Sequence, residues 1–208
     1  MSIQEPRIYV VDDDDSVCRS VALLLEASGF KAQCFTRAAD FLTFRHPKAP
    51  SCLILDIEIP DINGLDLQDA MRSRNIRIPV IFITGHGDIP KSVRAMKAGA
   101  VDFLQKPFTE KELLNAIAVA LKRNRIEAGE LTEISSLSRR VKTLSPRELE
   151  VFRFVAKGFM NKEIAEKRGT SLQTIKVHRG RVMKKMRAKN ITELVSFAKK
   201  TGISPSGR

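Results

Sequence analysis

The sequence predicts an α/β domain built on a doubly wound, five-stranded parallel sheet in the order 2-1-3-4-5, followed by an all-α domain of four helices that contains a helix-turn-helix. Three observations predict this: short apolar runs that alternate with helical patterns, a sharply uneven charge distribution, and helix-capping signals closely spaced in the basic tail section.

The runs are Ile8–Val11, Ala32–Phe35, Cys52–Leu55, Val80–Ile83 and Val101–Leu104, each of strand length and bounded by polar, Gly or Pro residues. Between them, Val17, Val21, Leu24 and Leu25 share one helical face, as do Leu113, Ile117, Ala120 and Leu121. Strands alternating with amphipathic helices imply a parallel sheet covered on both sides.

A chain of 208 residues has room for one large domain or two modest ones, and the charge decides between them. Residues 1–140 carry 19 Lys+Arg and 19 Asp+Glu, whereas residues 141–208 carry 17 and 5, so the whole excess of +12 lies in the last third. A neutral body joined to a basic section points to a polyanionic partner for that section alone. The expected division is 1–124 for the α/β domain, 125–142 for a charged, serine-containing linker that can continue the last helix, and 143–208 for the helix-turn-helix domain.

No apolar run approaches the ~18 residues of a membrane span, and the start lacks the basic and apolar regions of a signal peptide, so no membrane partner and a cytoplasmic location are expected. Cys18, Cys34 and Cys52 lack metal-ligand spacing and read as buried, reduced thiols.

In this fold the loops leaving the C-terminal ends of strands 1 and 3 meet at the switch point where ligands bind. Asp12 and Asp13 follow the first strand and Asp56 follows the third, which gathers three carboxylates in one crevice. Two such charges ~4 Å apart repel by about 4 kcal/mol at an effective dielectric near 20. A hard divalent cation with oxygen ligands and retained waters, Mg²⁺, would neutralise them. Thr84 ends the fourth strand and Lys106 follows the fifth, adding a hydroxyl and an ammonium to the same crevice. Cation, hydroxyl and ammonium are the groups that hold the oxygens of a phosphoryl transferred in line to a carboxylate. Asp14 and Asp15 read as a solvated cap of the first helix. The Asp12-Asp13-Asp14 string also admits an aspartate-based phosphohydrolase with Asp12 as nucleophile and Asp14 as acid, a reading that leaves Asp56 and the basic section unused.

In the tail section, Ser145-Pro146-Arg147-Glu148 is a capping box with proline at the first helical position, and Leu149, Phe152, Val155 and Ala156 supply a buried face that Gly158 ends. A second helix is expected over about Asn161 to Arg168, with Gly169-Thr170 turning into a third helix capped by Ser171. On that third helix Leu172, Ile175, Val182 and Met186 should pack inward, while Gln173, Thr174, Lys176, Val177, Gly180, Arg181 and Lys184 face outward. Such a polar and basic face fits the major groove, although by itself an exposed basic helical face is more often only solvated, and an RNA- or membrane-binding adaptor is a further alternative. A fourth helix, about Ile191 to Thr201, presents Leu194, Val195, Phe197 and Ala198, and the tail from Ser204 is expected to be disordered.

Four blocks, Val10-Val11-Asp12-Asp13-Asp14, Leu55-Asp56-Ile57-Glu58-Ile59-Pro60-Asp61-Ile62-Asn63-Gly64, Ile83-Thr84-Gly85-His86-Gly87-Asp88 and Phe103-Leu104-Gln105-Lys106-Pro107-Phe108, resemble the signatures of a receiver domain over residues 7–121, the third block most like the FixJ branch. The resemblance implies that Asp56 is the phosphoacceptor and that Asp12, Asp13 and Asp56 with the Glu58 backbone carbonyl bind Mg²⁺. It also implies a sensor histidine kinase as phosphoryl source and a switch in which Thr84 moves toward the phosphoryl group and Phe103 rotates inward. The side chains of Glu58 and His86 would border the pocket and tune phosphoryl lifetime. The chain would then be a phosphoacceptor regulator, not an enzyme.

Residues 144–199 resemble the LuxR-type helix-turn-helix through Leu144-Ser145-Pro146-Arg147-Glu148, Gly158, Asn161-Lys162-Glu163-Ile164-Ala165 and Thr174-Ile175-Lys176-Val177-His178-Arg179. By position, Lys176, Val177 and Gly180 would face bases, Thr174, His178, Arg179 and Arg181 would meet phosphates or support the turn, and Lys184 would meet phosphates. Arg168 and Thr170 occupy positions usually apolar, and Gly180 offers no side chain, so specificity is expected to draw partly on DNA shape. Implied partners are a near-palindromic double-stranded operator, a second copy of the chain when phosphorylated, paired through the outer face of the fourth helix, and RNA polymerase.

Overall fold

The computed structural model describes residues 5–85 and 89–203. The chain divides into two compact units, 1–128 and 129–208.

In the first unit, β1 (Arg7–Val11), β2 (Lys31–Phe35), β3 (Ser51–Asp56), β4 (Val80–Thr84) and β5 (Asp102–Gln105) form one parallel sheet in the order β2-β1-β3-β4-β5. Alternation along each strand divides the core in two. Tyr9 and Val11 of β1, Leu53 and Leu55 of β3, and Phe82 of β4 face α2 (Ala38–Thr43), α3 (Gly64–Ser73) and α4 (Ile89–Lys97), which contribute Phe41, Leu67, Met71 and Ala95. Ile8, Val10, Cys52, Ile54, Ile81 and Ile83 face α1 (Asp15–Ala27) and α5 (Glu110–Val141), which contribute Cys18, Val21, Leu25, Leu113, Ile117 and Ala120. Each buried Leu, Ile, Val or Phe contributes roughly 1.5–3 kcal/mol, so the two faces together fix which side of the sheet each helix covers.

Helix α1 starts where the Asp14 carboxylate accepts from the Ser16 N–H at 2.8 Å, and the exposed Asp15 pairs with Arg19 one turn on, which makes this acidic pair a helix cap and a surface ion pair. Helix α3 starts under Asn63, whose Oδ1 accepts from the Leu65 N–H at 2.9 Å. Its first residue is Gly64, where a Cβ would stand 2.5 Å from the Asp56 carbonyl oxygen. The close approach of α3 to the end of β3 therefore requires glycine.

Helix α5 runs without a break to Val141, so the segment expected as a linker is helical, and its end belongs to the second unit. The reason is burial that its charged composition hides. Leu137, 2% exposed, and Val141, one turn later, pack in the core of the second unit, and Arg140 donates to the Met186 carbonyl at 3.0 Å.

The rest of that unit is α6 (Pro146–Ala156), α7 (Asn161–Arg168), α8 (Leu172–Met186) and α9 (Ile191–Lys200) around Val151, Phe152, Val155, Ile164, Ile175, Val182, Leu194 and Phe197. The capping box at Ser145 is complete: Ser145 Oγ accepts from the Glu148 N–H and Glu148 Oε2 from the Ser145 N–H. Gly158 at φ 85° and Gly169 at φ 57° take the left-handed conformation that ends α6 and α7. One expectation fails: Leu172 is 43% exposed, because it lies in the first turn of α8, ahead of the stretch from Ile175 that meets the core. Ser204 to Arg208, expected to be disordered, lie outside the described residues.

Candidate functional site

Four strand ends meet at one edge of the sheet. Asp12 leaves β1, Asp56 ends β3, Thr84 ends β4 and Lys106 follows β5. Asp12 and Thr84 are each 1% exposed and Asp56 is 7% exposed, whereas Asp13 lies open to solvent. Lys106 Nζ donates to Asp12 Oδ2 and to Asp56 Oδ2, both at 2.7 Å. Its placement follows from the backbone: the Lys106 N–H donates to the Thr84 carbonyl at 2.7 Å, which extends the β4–β5 pairing by one residue.

The carboxylates are also held from their own loops. The Asp14 N–H donates to Asp12 Oδ1 at 2.9 Å and the Glu58 N–H donates to Asp56 Oδ1 at 3.0 Å. Beneath them, Gly64 N–H donates to the Ile57 carbonyl at 2.9 Å and locks the loop that carries Glu58. Each acceptor oxygen is thereby aimed before any ligand arrives.

Burial pushes the Asp12 carboxyl up from its ordinary value, and the Lys106 hydrogen bond pulls the other way. On Lys106 burial lowers the pKa, but the bonds to Asp12 and Asp56 outweigh it and hold the ammonium above its ordinary value. The ammonium is thus the charge that makes two adjacent buried carboxylates tolerable.

One ligand oxygen from each of Asp12, Asp13 and Asp56 can lie within 4.8 Å of the others. An all-oxygen, anionic donor set open on the Asp13 side fits a hard divalent cation that keeps part of its water shell. Asp14 does not share in this set. Its carboxylate caps α1, and the hydrogen bonds from Ser16 hold it below the ordinary carboxylate range, which is unsuited to a general acid.

Of the remaining sequence-predicted residues, Phe103 is half-buried on β5 against the Phe82 side of the core, and Glu58 is exposed beside Asp56. His86 lies outside the described residues.

In the second unit, Ser171 Oγ accepts from the Thr174 N–H at 3.1 Å and starts α8. Lys176, Val177, Gly180, Arg181 and Lys184 form an exposed face with Thr174 at its head. A Cβ at Gly180 would meet nothing within 4 Å, so the backbone there is open to close approach. His178 and Arg179 are half-buried and turn toward the supporting helices: Arg179 Nη1 donates to Asn161 Oδ1 at 2.6 Å, and His178 Nδ1 is buried. Arg168, unusual by position, pairs with Glu150 of α6 at 2.8 Å, which accommodates a charge at the turn. The motif alone does not single out the Asn161–Arg179 or Glu148–Lys185 contacts, because each joins residues far apart in the chain.

Together these features define a receiver-type α/β unit with an acidic notch, followed by a helix-turn-helix unit. Residues 8–118 match the family described as response regulator receiver domain, and residues 142–198 match bacterial regulatory proteins of the luxR family. Nodulation protein W of Bradyrhizobium diazoefficiens is 45% identical over 95% of this chain and 87% of its own length. Transcriptional regulatory protein FixJ of Rhizobium meliloti is 38% identical over 96% of this chain and 98% of its own length. Among solved structures, response regulator StyR is similar with a TM-score of 0.80 at 40% identity, covering 94% of this chain and 99% of that one. Full-length FixJ from B. japonicum aligns with a TM-score of 0.56 at 36% identity over 96% and 98% of the two chains. The chain belongs to the response regulators, with a receiver domain followed by a LuxR-type DNA-binding domain.

Proposed function

We propose that this chain is a phosphorylation-switched transcription factor. A sensor histidine kinase supplies the phosphoryl group, Asp56 accepts it, and the acyl phosphate governs pairing of two copies on a near-palindromic operator. The observation that carries the reading is the double hydrogen bond of Lys106 to Asp12 and Asp56 at the sheet's switch point. It marks a place where anionic oxygens are gathered, aimed and partly neutralised.

In the transfer, an Asp56 carboxylate oxygen forms the new P–O bond as the P–N bond of the phosphohistidine breaks and the imidazole leaves. The Asp12, Asp13 and Asp56 carboxylates with the Glu58 carbonyl are the residues to hold Mg²⁺, which supplies charge neutralisation to the phosphoryl oxygens when bound. In this reading Lys106 exchanges its bond to Asp56 for one to the new anionic oxygen, the Thr84 hydroxyl turns to another, and Phe103 moves inward behind it. Glu58 and His86 are assigned the tuning of phosphoryl lifetime.

Residues 1–124 form the receiver and 143–208 the DNA-binding domain in this reading. Lys176, Val177 and Gly180 face bases, Thr174, Arg181 and Lys184 meet phosphates, and His178 and Arg179 brace the helix, with Arg179 held by Asn161. RNA polymerase is a further partner. A cytoplasmic location is part of this reading, and among the described residues no helix is long and apolar enough to cross a membrane.

The test is labelling of the full chain with a small phosphodonor such as an acyl phosphate, with and without Mg²⁺, followed by operator binding. Label on Asp56 and donor-dependent operator occupancy are expected. If Asp56→Asn leaves both unchanged, the reading is wrong, and label on Asp12 with turnover of a phosphate ester would favour a phosphohydrolase.

A further inference from the structure

The opposite, N-terminal end of the same sheet carries a cleft of about 350 Å³, within the size range of small-molecule sites. Its wall comes from the end of α3, the segment entering β4, the Ala98–Gly99 turn and the α5 residues Arg123 and Glu127.

Three guanidinium groups, those of Arg72, Arg77 and Arg123, line this cleft against one carboxylate, Glu127. The carboxylate is already engaged, at 2.8 Å from Arg123 Nε, and Arg123 Nη1 is anchored on the Gly99 carbonyl at 3.0 Å. The point where a Gly99 Cβ would stand lies 3.6 Å from Arg72 Nη2 and 3.8 Å from Arg123 Nη2. Two cations therefore converge on one small volume that a glycine at φ +85° leaves open. Arg72 Nη1 reaches Asp69 Oδ1 at 3.4 Å, so it is the two Nη2 groups that face this volume, and an anion bridging them gains charge-assisted hydrogen bonds.

Gln68 supplies a second, independent feature. Gln68 is 5% exposed and lines the cleft, and its Oε1 is buried with no hydrogen-bond partner. A buried amide oxygen left without a donor costs about 1–3 kcal/mol, and because this one is closed to solvent, the Gln68 amide has to turn toward the cleft for a ligand N–H or O–H to recover that cost. Ile76, Ile78 and Pro79 add an apolar part to the lining.

An anionic group, a flat apolar body and a hydrogen-bond donor are the parts of a nucleotide. We infer that this cleft binds a nucleoside monophosphate, its phosphate between Arg72 and Arg123, its base against the Ile76–Pro79 wall, and a base N–H on Gln68 Oε1. Because Arg123 and Glu127 lie on the last turns of α5 within the first unit, an occupied cleft would fasten those turns to α3 and to the Gly99 turn. The site does not depend on the chemistry of Asp56.

The experiment is calorimetric titration of the full chain with adenosine, guanosine and uridine monophosphates, the parent nucleosides and inorganic phosphate. Saturable binding of at least one nucleotide, tighter than inorganic phosphate, is expected. Arg72→Ala, an exposed position, should weaken the nucleotide and inorganic phosphate alike by about tenfold. Gln68→Leu should weaken only the nucleotide, by about tenfold, and Asp56→Asn should leave all affinities unchanged. Absence of saturation by any nucleotide at about 10 mM, nucleotides that bind no better than inorganic phosphate, or binding indifferent to both Arg72→Ala and Gln68→Leu would each overturn the inference. A loss of binding in Asp56→Asn would instead place the ligand at the carboxylate notch.

Discussion

Lys106 Nζ stands 2.7 Å from Asp56 Oδ2, with the lysine side chain 24% exposed and the aspartate side chain 11% exposed. The same nitrogen is equally close to Asp12, so one ammonium serves two carboxylates that would otherwise repel across a poorly solvated notch.

Replacing Lys106 by methionine should therefore destabilise the receiver in metal-free buffer by about 2–4 kcal/mol, since it leaves buried carboxylates without a counter-charge. Millimolar Mg²⁺ should restore much of that loss. Thermal denaturation with and without the ion checks both parts, and a variant as stable as the parent in chelator would show that the carboxylates are not under electrostatic load.

Metal dependence gives a second expectation. Mg²⁺ should raise the unfolding temperature of the parent chain by mass action, and Asp13→Asn should reduce the shift while leaving the Lys106 hydrogen bonds in place. An undiminished shift in that variant would remove Asp13 from the ligand set.

At Gly64 the expected effect comes from geometry alone. Alanine there puts a methyl group 2.5 Å from the Asp56 carbonyl oxygen, so backbone must give. Gly64→Ala should cost about 1–3 kcal/mol of stability and slow phosphodonor labelling by displacing the end of β3. Normal labelling with normal stability would mean that α3 can retreat freely.

In the second unit, Glu148 is 3% exposed, closes the capping box and accepts from Lys185 Nζ at 2.6 Å. That lysine bond, first, and the Ser145 N–H hold its carboxyl below the ordinary value of 4.5. A lowered folded-state value means the stabilisation is complete above about pH 4.5 and disappears as pH falls through the folded-state value. Glu148→Gln should lower the stability of this unit near neutral pH and flatten its acid loss below pH 4.5, read by helical circular dichroism. Parallel acid profiles for the two proteins would assign the loss to other carboxylates.

Asn161 and Arg179 should behave as a coupled pair. In a double-mutant cycle, Asn161→Ala and Arg179→Ala are expected to be non-additive in stability by about 0.5–3 kcal/mol. Lys176→Ala, by contrast, should leave stability intact and reduce the salt slope of DNA binding by about one unit. Additive effects of the pair would mean that Arg179 does not brace α8.

Much of this was written in local pattern. The apolar runs, the Ser145-Pro146-Arg147-Glu148 cap and the two turn glycines act through neighbours in the chain, and the doubly wound rule then sends Asp12, Asp56, Thr84 and Lys106 to one edge of the sheet. Periodicity was a poorer guide at the ends of elements, where Leu172 is exposed despite its spacing. It also failed in the charged stretch where Leu137 and Val141 find a core that only the following helices supply.

The order of elements, the carboxylates of the notch and the basic face of α8 follow from residues taken in chain order, because hydrophobic period, capping chemistry and charge are properties of short segments. Packing between distant segments is what makes Lys106 bridge two aspartates, turns Arg179 to Asn161, and brings arginines from α3 and α5 together over Gly99 in a cleft that Gln68 also lines. Those are distances between residues remote in the chain, and hydrogen bonding and Coulomb attraction at a few ångströms depend on where packing delivers each side chain.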